Sequence, residues 1–154
     1  MDVSVRRVTD KADITAIKDI FIEYIGFIED FLGQSIGFQG TEKEFATFPD
    51  IYDGLFLACL DGAPIGACGI KPFADNICEL KRLYCRPEGR GYGLGFALSS
   101  MAIEAAREFG YAQIYLDTDH GLPHANKIYE RLGFKDIERY YNNPMNSRFM
   151  ALAL

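Results

Sequence analysis

The residues with the clearest chemical potential are three glycines at alternating positions, Gly91, Gly93 and Gly95. They follow an apolar run that ends at Cys85, and they open a long amphipathic run. Glycine lets the backbone approach a ligand without interference from a Cβ atom. The first N–H groups of a helix lack intrahelical partners and carry partial positive charge. The segment therefore predicts an anion site suited to a pyrophosphate, with Arg90 adding a formal charge at its rim.

Other structures can also carry a glycine-rich segment. A P-loop needs Gly-Lys-Ser/Thr at the helix start, which is absent here. A dinucleotide fingerprint needs Gly-x-Gly-x-x-Gly, and its third glycine would fall at Phe96, although Asp117 has a suitable spacing for a ribose carboxylate. A turn without any ligand is the third interpretation, and it costs about 0.5–1 kcal/mol for each glycine relative to alanine.

Cysteine and histidine give little sign of further chemistry. The four cysteines, at positions 59, 68, 78 and 85, lack metal-ligand spacing and lie in apolar runs, so we expect reduced core residues. Cys85 lies nearest to the predicted ligand, but no neighbouring histidine in the sequence would activate it. His120 and His124 are four residues apart, yet Pro123 between them would break a ligand-bearing helix. We therefore expect no metal.

The hydrophobic pattern predicts the elements that position the glycine segment. Asp61-Gly62 between two apolar runs is a strong hairpin signal, and Thr41 and Glu44 have capping-box spacing for a short helix. Strands are predicted at 3–8, 55–60, 65–70, 77–85, 113–116 and 149–154, and helices from residue 10 to Gly33, from 41 to Pro49, at 91–109 and at 123–132. The order β-α-α-β-β-β-α-β-α-β-β, which counts one further strand between residues 132 and 149, indicates one α/β domain over residues 1–154, of the α+β type. Its mixed, mostly antiparallel sheet has about seven strands, with helices on both faces.

The composition excludes several classes of function. The 154 residues are 49% hydrophobic and 25% charged, as in folded globular proteins. The net charge of −6 argues against a nucleic-acid partner, and the same field favours a cationic amine. The sequence contains no apolar run of about 18 residues and no apolar leader segment, so we expect neither a membrane span nor secretion. A cytoplasmic location is the default expectation.

Three motifs in order along the chain resemble the GNAT superfamily of N-acetyltransferases. Residues 90–95, Arg-Gly-Tyr-Gly-Leu-Gly, are similar to its Arg/Gln-x-x-Gly-x-Gly/Ala signature. Residues 79–88 resemble the strand that precedes this signature, and residues 125–134 resemble a downstream Ala-x-x-x-Tyr-x-x-x-Gly-Phe box. The Tyr-Tyr-Asn-Asn-Pro segment at 140–144 is also similar to small bacterial members. The resemblance covers essentially the whole chain, and it implies transfer of an acetyl group from acetyl-coenzyme A to an amine.

The resemblance also implies which residues hold the cofactor. Backbone groups of Leu83, Tyr84 and Cys85 would pair with the pantetheine arm, as one strand pairs with another. The pyrophosphate would be held by the segment that comprises Arg90, Gly91, Tyr92, Gly93, Leu94, Gly95 and Phe96. Many members have asparagine seven residues before the tyrosine of the downstream box, where this chain has Leu122. Asn126 lies nearby and is the substitute that we predict.

Glu79 matches a position at which the resemblance implies a general base. Strand alternation predicts Glu79, Lys81 and Leu83 on one face of the sheet. An alkylammonium with a pKa of about 10.4 and a carboxylate near 4.3 differ by roughly six units, or about 8 kcal/mol. The base would therefore need a pKa raised by burial, or would act through water on an already depressed amine. The structural alternative is a salt bridge with Lys81 or another cation.

Tyr129 matches the acid of the resembled family. Its phenol could protonate the departing thiolate or donate a hydrogen bond to it. A phenol pKa near 10 against a thiol pKa near 8.5 makes complete proton transfer slightly uphill, so hydrogen bonding would be the larger part. The structural alternative is an amphipathic tyrosine of the core.

The expected reaction is direct attack by the amine in a ternary complex, without a covalent acyl-enzyme. A coenzyme A-binding sensor that lacks catalysis is the other interpretation that these motifs allow. The acceptor pocket is expected between residues 33–48 and the 140–146 segment, with Gln34, Phe38 and Gln39 as candidate contacts. Neither segment distinguishes a small-molecule amine from a peptide amine. The resemblance leaves a homodimer open.

Overall fold

The computed structural model describes residues 2–37, 40–143 and 145–154. Its single seven-stranded sheet has the order β1-β2-β3-β4-β5-β7-β6. Among the described residues, only β4 and β5 pair in parallel, so the sheet is mixed and mostly antiparallel, as the sequence predicts. The elements also occur in the predicted order. They are β1 (Val3–Val8), α1 (Lys11–Leu32), α2 (Thr41–Ala46), β2 (Gly54–Leu60), β3 (Ala63–Ala74), β4 (Ile77–Cys85), α3 (Leu94–Glu108), β5 (Gln113–Asp119), α4 (Pro123–Leu132), β6 (Lys135–Asp136) and β7 (Ser147–Ala153).

Strand alternation divides the core between the two faces of the sheet. In β2, Phe56 and Ala58 pack in the cluster that α3 and α4 cover. The neighbouring Leu55 and Leu57 pack in the cluster that α1 covers. All four side chains are at most 5% exposed. A strand buried on both faces needs apolar residues at every position, which explains the continuous apolar run in this part of the sequence. No helix in the described ranges is long and apolar enough to cross a membrane.

On the α1 face of the sheet, the predicted end of α1 at Gly33 is confirmed, whereas the predicted cap of α2 is wrong. Asp10 caps α1 by accepting a hydrogen bond from the Asp13 N–H at 2.8 Å, and Gly33 ends it at a φ of 71°. The capping box predicted at the start of α2 is not present. Gly40 is the N-cap residue there, and the Glu44 side chain turns inward to a buried arginine instead of back to the helix start.

A β-bulge interrupts β4 at Arg82. Gly69 pairs with Lys81 and Ala67 with Tyr84, so two residues of β4 lie opposite the single residue between Ala67 and Gly69. Arg82 has a φ of +62°, a left-handed conformation that costs a non-glycine residue about 1–2 kcal/mol. The bulge reverses the alternation. Leu83 therefore packs with the α3-side cluster and does not share a face with Glu79 and Lys81, contrary to the sequence prediction.

β4 and β5 pair only at their beginnings. The parallel register joins Ile77 to Gln113, Cys78 to Ile114 and Glu79 to Tyr115. Beyond Glu79 and Tyr115 the two strands of the described structure are no longer paired, although each continues for several residues. The sheet therefore contains an open gap between residues 80–85 and residues 116–119.

Candidate active site

The gap lies at the carboxyl ends of two neighbouring parallel strands. α3 follows β4 and α4 follows β5, so both helices begin at this end of the sheet. Crevices outside the carboxyl ends of parallel strands are the usual ligand sites of open α/β sheets, and helix N-termini add partial positive charge there. The topology thus brings the glycine segment, the end of β4 and the start of α4 to one cleft.

The glycine segment forms a turn whose outer side is open. Gly91 and Gly93 have φ values of +90° and +71°, and a Cβ atom placed on either would have no atom within 4 Å. α3 begins only after this turn, at Leu94, and its first intrahelical bond runs from the Ala97 N–H to the Gly93 carbonyl at 3.1 Å. The N–H groups of residues 94–96 are therefore left without intrahelical partners, as an anion site requires.

Three residues of the predicted phosphate segment have other roles. The Arg90 N–H donates to the Pro87 carbonyl at 3.2 Å, so Arg90 can offer only its exposed side chain to an anion. A Cβ on Gly95 would lie 2.9 Å from Ile128 Cδ1, so this glycine permits the close packing of α3 against α4. The Phe96 ring lies under the Arg131 guanidinium, with 4.7 Å between the ring centroid and Cζ.

The end of β4 presents backbone groups to the gap. The Arg86 N–H donates to the Ile65 carbonyl of β3 at 2.8 Å. Alternate N–H groups of a strand point to opposite edges, so those of Cys85 and Leu83 point away from β3 and into the gap. The Cys85 side chain is half-buried, and burial raises the pKa of its thiol to about 11. A thiol with this pKa is a poor nucleophile at neutral pH, because the thiolate is the reactive form.

Asn126 brings an unpaired polar atom to the start of α4. It is 8% exposed, and its Nδ2 donates to the Asp119 carbonyl at 3.1 Å. Its buried Oδ1 has no hydrogen-bond partner in the described parts of the chain. A buried acceptor without a donor is unfavourable, so this atom suits a ligand that supplies an N–H group.

Tyr129 lies one turn after Asn126 and is 7% exposed. Its hydroxyl makes no hydrogen bond to any described residue, whereas its ring packs edge-on against Phe134 with centroids 5.8 Å apart. Burial raises the pKa of Tyr129 well above its ordinary value, and the nearby Tyr24 and Asp117 raise it further. Tyr24 belongs to α1, on the opposite face of the sheet, so this influence acts across the gap.

Glu79 is buried where the gap begins. It is 4% exposed, and the Tyr140 hydroxyl donates to its Oε2 at 2.7 Å. Its Oε1 lies 3.4 Å from Lys71 Nζ on β3. The cation partner of Glu79 is therefore Lys71 and not Lys81, which has a different carboxylate beside it.

Asp117 is the carboxylate that sequence reasoning missed as a site residue. It lies on β5, 3.7 Å from Lys81 Nζ on β4, so this ion pair spans the gap. The Tyr141 hydroxyl donates to Asp117 Oδ2 at 2.8 Å, and Asn143 Nδ2 donates to the same oxygen at 3.2 Å. The available signal was the alternation of Asp117 with the buried Ile114 and Leu116, which predicts a polar side chain on the face opposite the α3 cluster.

Comparison with known proteins agrees with this geometry. The acetyltransferase (GNAT) family matches residues 27–134. The chain belongs to that family. An uncharacterized N-acetyltransferase of Schizosaccharomyces pombe is 34% identical over 99% of this chain and 96% of its own length. A GNAT-family acetyltransferase of Staphylococcus aureus has the same fold, with a TM-score of 0.79, 18% identity and 99% of each chain covered. So does the PaiA N-acetyltransferase of Thermoplasma acidophilum, solved with coenzyme A, at a TM-score of 0.74, 17% identity and complete coverage of both chains.

The two segments predicted to border the acceptor pocket of this GNAT enzyme meet in the structure. Gln34 Nε2 donates to Met145 Sδ at 2.8 Å, and Ile28, Ile36 and Met145 form a small buried cluster. Gln34 is exposed, whereas Phe38 and Gln39 lie outside the described residues.

Aromatic rings line the adjoining surface of α1. Phe27 stacks on Phe31 with centroids 6.4 Å apart, and both Phe27 and Tyr24 contact the Tyr84 ring of β4. The Phe31 ring also lies 3.0 Å from the position that a Cβ on Gly121 would occupy, at the end of β5. These side chains therefore bridge the mouth of the gap, from β4 to the loop after β5.

The two histidines of this GNAT chain lie in the β5–α4 region and are exposed. His120 donates its backbone N–H to the Asn146 carbonyl at 3.3 Å, and His124 lies in the first turn of α4. Across the described residues, no group of three or more His, Cys, Asp or Glu side chains could hold a metal ion.

Proposed function

We propose that this chain transfers the acetyl group of acetyl-coenzyme A to an amine by direct attack in a ternary complex. The observation that supports the proposal is the convergence of three features on one gap. These are the open turn at Gly91 and Gly93, the outward N–H groups of Leu83 and Cys85, and the unpaired Oδ1 of Asn126. A linear ligand with a diphosphate at one end and amides along its length would satisfy all three.

The residues of the cleft fit coenzyme A in the following way. The N–H groups that open α3 would hold the diphosphate, with Arg90 beside it. Asn126 Oδ1 would accept a hydrogen bond from an amide N–H of the pantetheine arm. Without the ligand, this oxygen has no partner among the described residues. An N–H of the segment from Leu83 to Cys85 would donate to the thioester carbonyl oxygen as negative charge develops on it.

Glu79 and Tyr129 would serve as proton acceptor and hydrogen-bond donor. Glu79 is buried beside Lys71 and Tyr140, so proton transfer to it would pass through a water molecule. Asp117, on the other side of the gap, is the second candidate for this role. Because burial raises the pKa of Tyr129, its phenol stays protonated and would stabilise the leaving thiolate by donating a hydrogen bond.

Calorimetric titration with acetyl-coenzyme A and NAD, followed by a thiol-release assay with a panel of amines, tests the proposal. We expect binding of acetyl-coenzyme A but not of NAD, and release of free thiol with at least one amine. Binding of NAD alone would refute the proposal. Tight binding of acetyl-coenzyme A without turnover on any amine would indicate a sensor instead.

Substitution at the two carboxylates separates the candidate bases. Glu79→Gln keeps an acceptor for Tyr140 while removing the charge, and Asp117→Asn does the same for Tyr141. The base is the residue whose amide variant slows transfer by about 100-fold or more and abolishes the acid limb of the pH–rate profile. Asp136→Asn is the matched control, because Asp136 is an exposed carboxylate paired with Arg148. Full activity in both cleft variants at every pH would exclude either residue as the base.

A further inference from the structure

Arg82 and Glu44 form a buried ion pair at the β4 bulge, next to the part of the strand that borders the gap. Arg82 Nη2 lies 2.8 Å from Glu44 Oε1, and both side chains are at most 4% exposed. Glu44 belongs to α2 and Arg82 to β4, so the pair joins two elements through residues that are 38 positions apart in sequence.

Tyr52 is the third member of this cluster. Its hydroxyl donates a hydrogen bond to Glu44 Oε2. Burial raises the pKa of Tyr52 above its ordinary value, and the Glu44 carboxylate adds to this, so the phenol stays protonated as a donor. A Cβ on Gly69 would lie 2.7 Å from the Tyr52 ring, which means that Gly69 makes room for the ring beside the bulge.

Arg82 occupies the left-handed backbone conformation that glycine usually supplies in bulges of this kind. Strained residues of this type persist where the surrounding structure over-determines them, and they cluster at functional sites. Here the conformation of Arg82 sets the direction of the side chains and N–H groups that follow it in β4. After the bulge, the Leu83 side chain turns to the α3 face and the N–H groups of Leu83 and Cys85 point into the gap.

We infer that the Arg82–Glu44 pair, with Tyr52, is a positioning device that holds the β4 bulge and so aims the Leu83 and Cys85 N–H groups at the acyl carbonyl of the bound thioester. The inference rests on the proposed function, because it assumes that the gap takes an acyl-coenzyme A. Arg82 and Glu44 are positioning residues and do not touch the substrate. They act by fixing a backbone conformation that an arginine would not otherwise adopt.

A pair of double variants separates this role from general support of the fold. Both Arg82→Met/Glu44→Gln and Arg82→Gly/Glu44→Gln remove the ion pair, while the new amide still accepts the Tyr52 hydrogen bond. Only glycine adopts the left-handed conformation without strain. We therefore expect the bulge to relax in the Arg82→Met double variant and to persist in the Arg82→Gly double variant.

The readout is the ¹³C chemical shift of acetyl-coenzyme A labelled at the carbonyl carbon, together with the dissociation constants of acetyl-coenzyme A and of free coenzyme A. Circular dichroism first establishes that each variant is folded. In the wild type we expect a carbonyl shift on binding. In the Arg82→Met double variant the shift is lost, and acetyl-coenzyme A binds roughly 3- to 10-fold more weakly while coenzyme A binds as before. The Arg82→Gly double variant recovers both values.

Each contrary result has a distinct meaning. An unchanged carbonyl shift in the Arg82→Met double variant would overturn the positioning role while leaving the proposed function intact. Loss of the shift in both double variants would show that the pair does more than hold the bulge, and would also overturn the inference. If the Arg82→Met double variant does not fold, Glu44→Gln alone supplies the test, because a full shift in that milder variant would contradict the inference. Absence of a bound signal in the wild type would overturn the proposed function together with it.

Discussion

Replacing Gly93 with alanine separates the effect on ligand binding from the effect on the fold. Gly93 has a φ of +71°, and a Cβ atom there would meet no protein atom within 4 Å. In the free protein, the substitution therefore lowers the free energy of unfolding only by the strain of the left-handed backbone conformation, about 1–2 kcal/mol. For a chain of this size, each kcal/mol lowers the melting temperature by about 2–4 °C. The added methyl group, however, occupies the open side of the turn, where we place the diphosphate.

Gly110→Ala is the matched control for this experiment. Gly110 has a φ of +88° and open space around its Cβ position, so alanine strains the backbone there in the same way. It follows the opposite end of α3, a helix of 15 residues that spans about 22 Å. Both variants should lose a similar amount of stability as free proteins, but only Gly93→Ala should affect a ligand at the start of the helix.

Thermal melts with and without acetyl-coenzyme A measure the difference. At 100 times its dissociation constant, a ligand stabilises the folded protein by about 2.7 kcal/mol. We expect Gly93→Ala to weaken acetyl-coenzyme A binding at least about tenfold, which removes about 1.4 kcal/mol of that stabilisation. Gly110→Ala should retain all of it. Equal dissociation constants for the two variants would refute the assignment of the Gly93 turn as the phosphate site.

Three further predictions follow from the side chains of the cleft and the core. Tyr129→Phe should leave acetyl-coenzyme A affinity and melting temperature nearly unchanged, because the Tyr129 hydroxyl bonds to no described residue. It should reduce kcat by about 100-fold, because the hydrogen bond to the leaving thiolate is lost. Cys85→Ser should retain the transfer rate, and mass spectrometry of a quenched wild-type reaction should show no acetylated Cys85, since burial raises the pKa of this thiol to about 11. Burial also raises the pKa of Tyr24 to about 12, so the unfolded chain loses this proton first, at about pH 10. The free energy of unfolding should therefore decline between about pH 10 and 12, and Tyr24→Phe should flatten that decline in alkaline denaturation curves.

Signals that are local in sequence predicted the scaffold of the cleft. The glycines at 33, 110 and 133 end helices or follow their last turns in the left-handed conformation, as their positions suggest. The Asp61-Gly62 pair joins β2 to β3. The glycine segment follows β4 as predicted, but Gly91 and Gly93 form an open turn before α3 begins at Leu94, whereas the predicted helix began at residue 91. Each of these features depends on backbone preferences within a few residues, which is the range that a single sequence expresses directly.

The errors arose where the conformation depends on partners distant in sequence. Thr41 and Glu44 have the spacing of a capping box, but Glu44 is used by Arg82, 38 residues away. A charged Arg82 in phase with the buried Cys78 and Leu80 was the available sign of a bulge, because regular alternation would have placed its guanidinium in the apolar core. Without the bulge, Leu83 was assigned to the wrong face. Lys71, the partner of Glu79, lies on the neighbouring strand β3. No local sequence pattern specifies the register between β3 and β4, so this partner could not be predicted.

The distribution of charge at the cleft bears on how an acceptor would be recognised. The net charge of −6 favours a cationic amine in general terms, yet the two carboxylates at the gap each have a lysine and a tyrosine beside them. Glu79 has Lys71 and Tyr140, and Asp117 has Lys81 and Tyr141. Their charges are thus compensated within the protein, so neither attracts an ammonium group as an isolated carboxylate would. If the acceptor is an amine, as we propose, discrimination among amines would then depend more on shape and hydrogen bonding, at the aromatic surface of α1 and the segment around Met145, than on the overall charge of the chain.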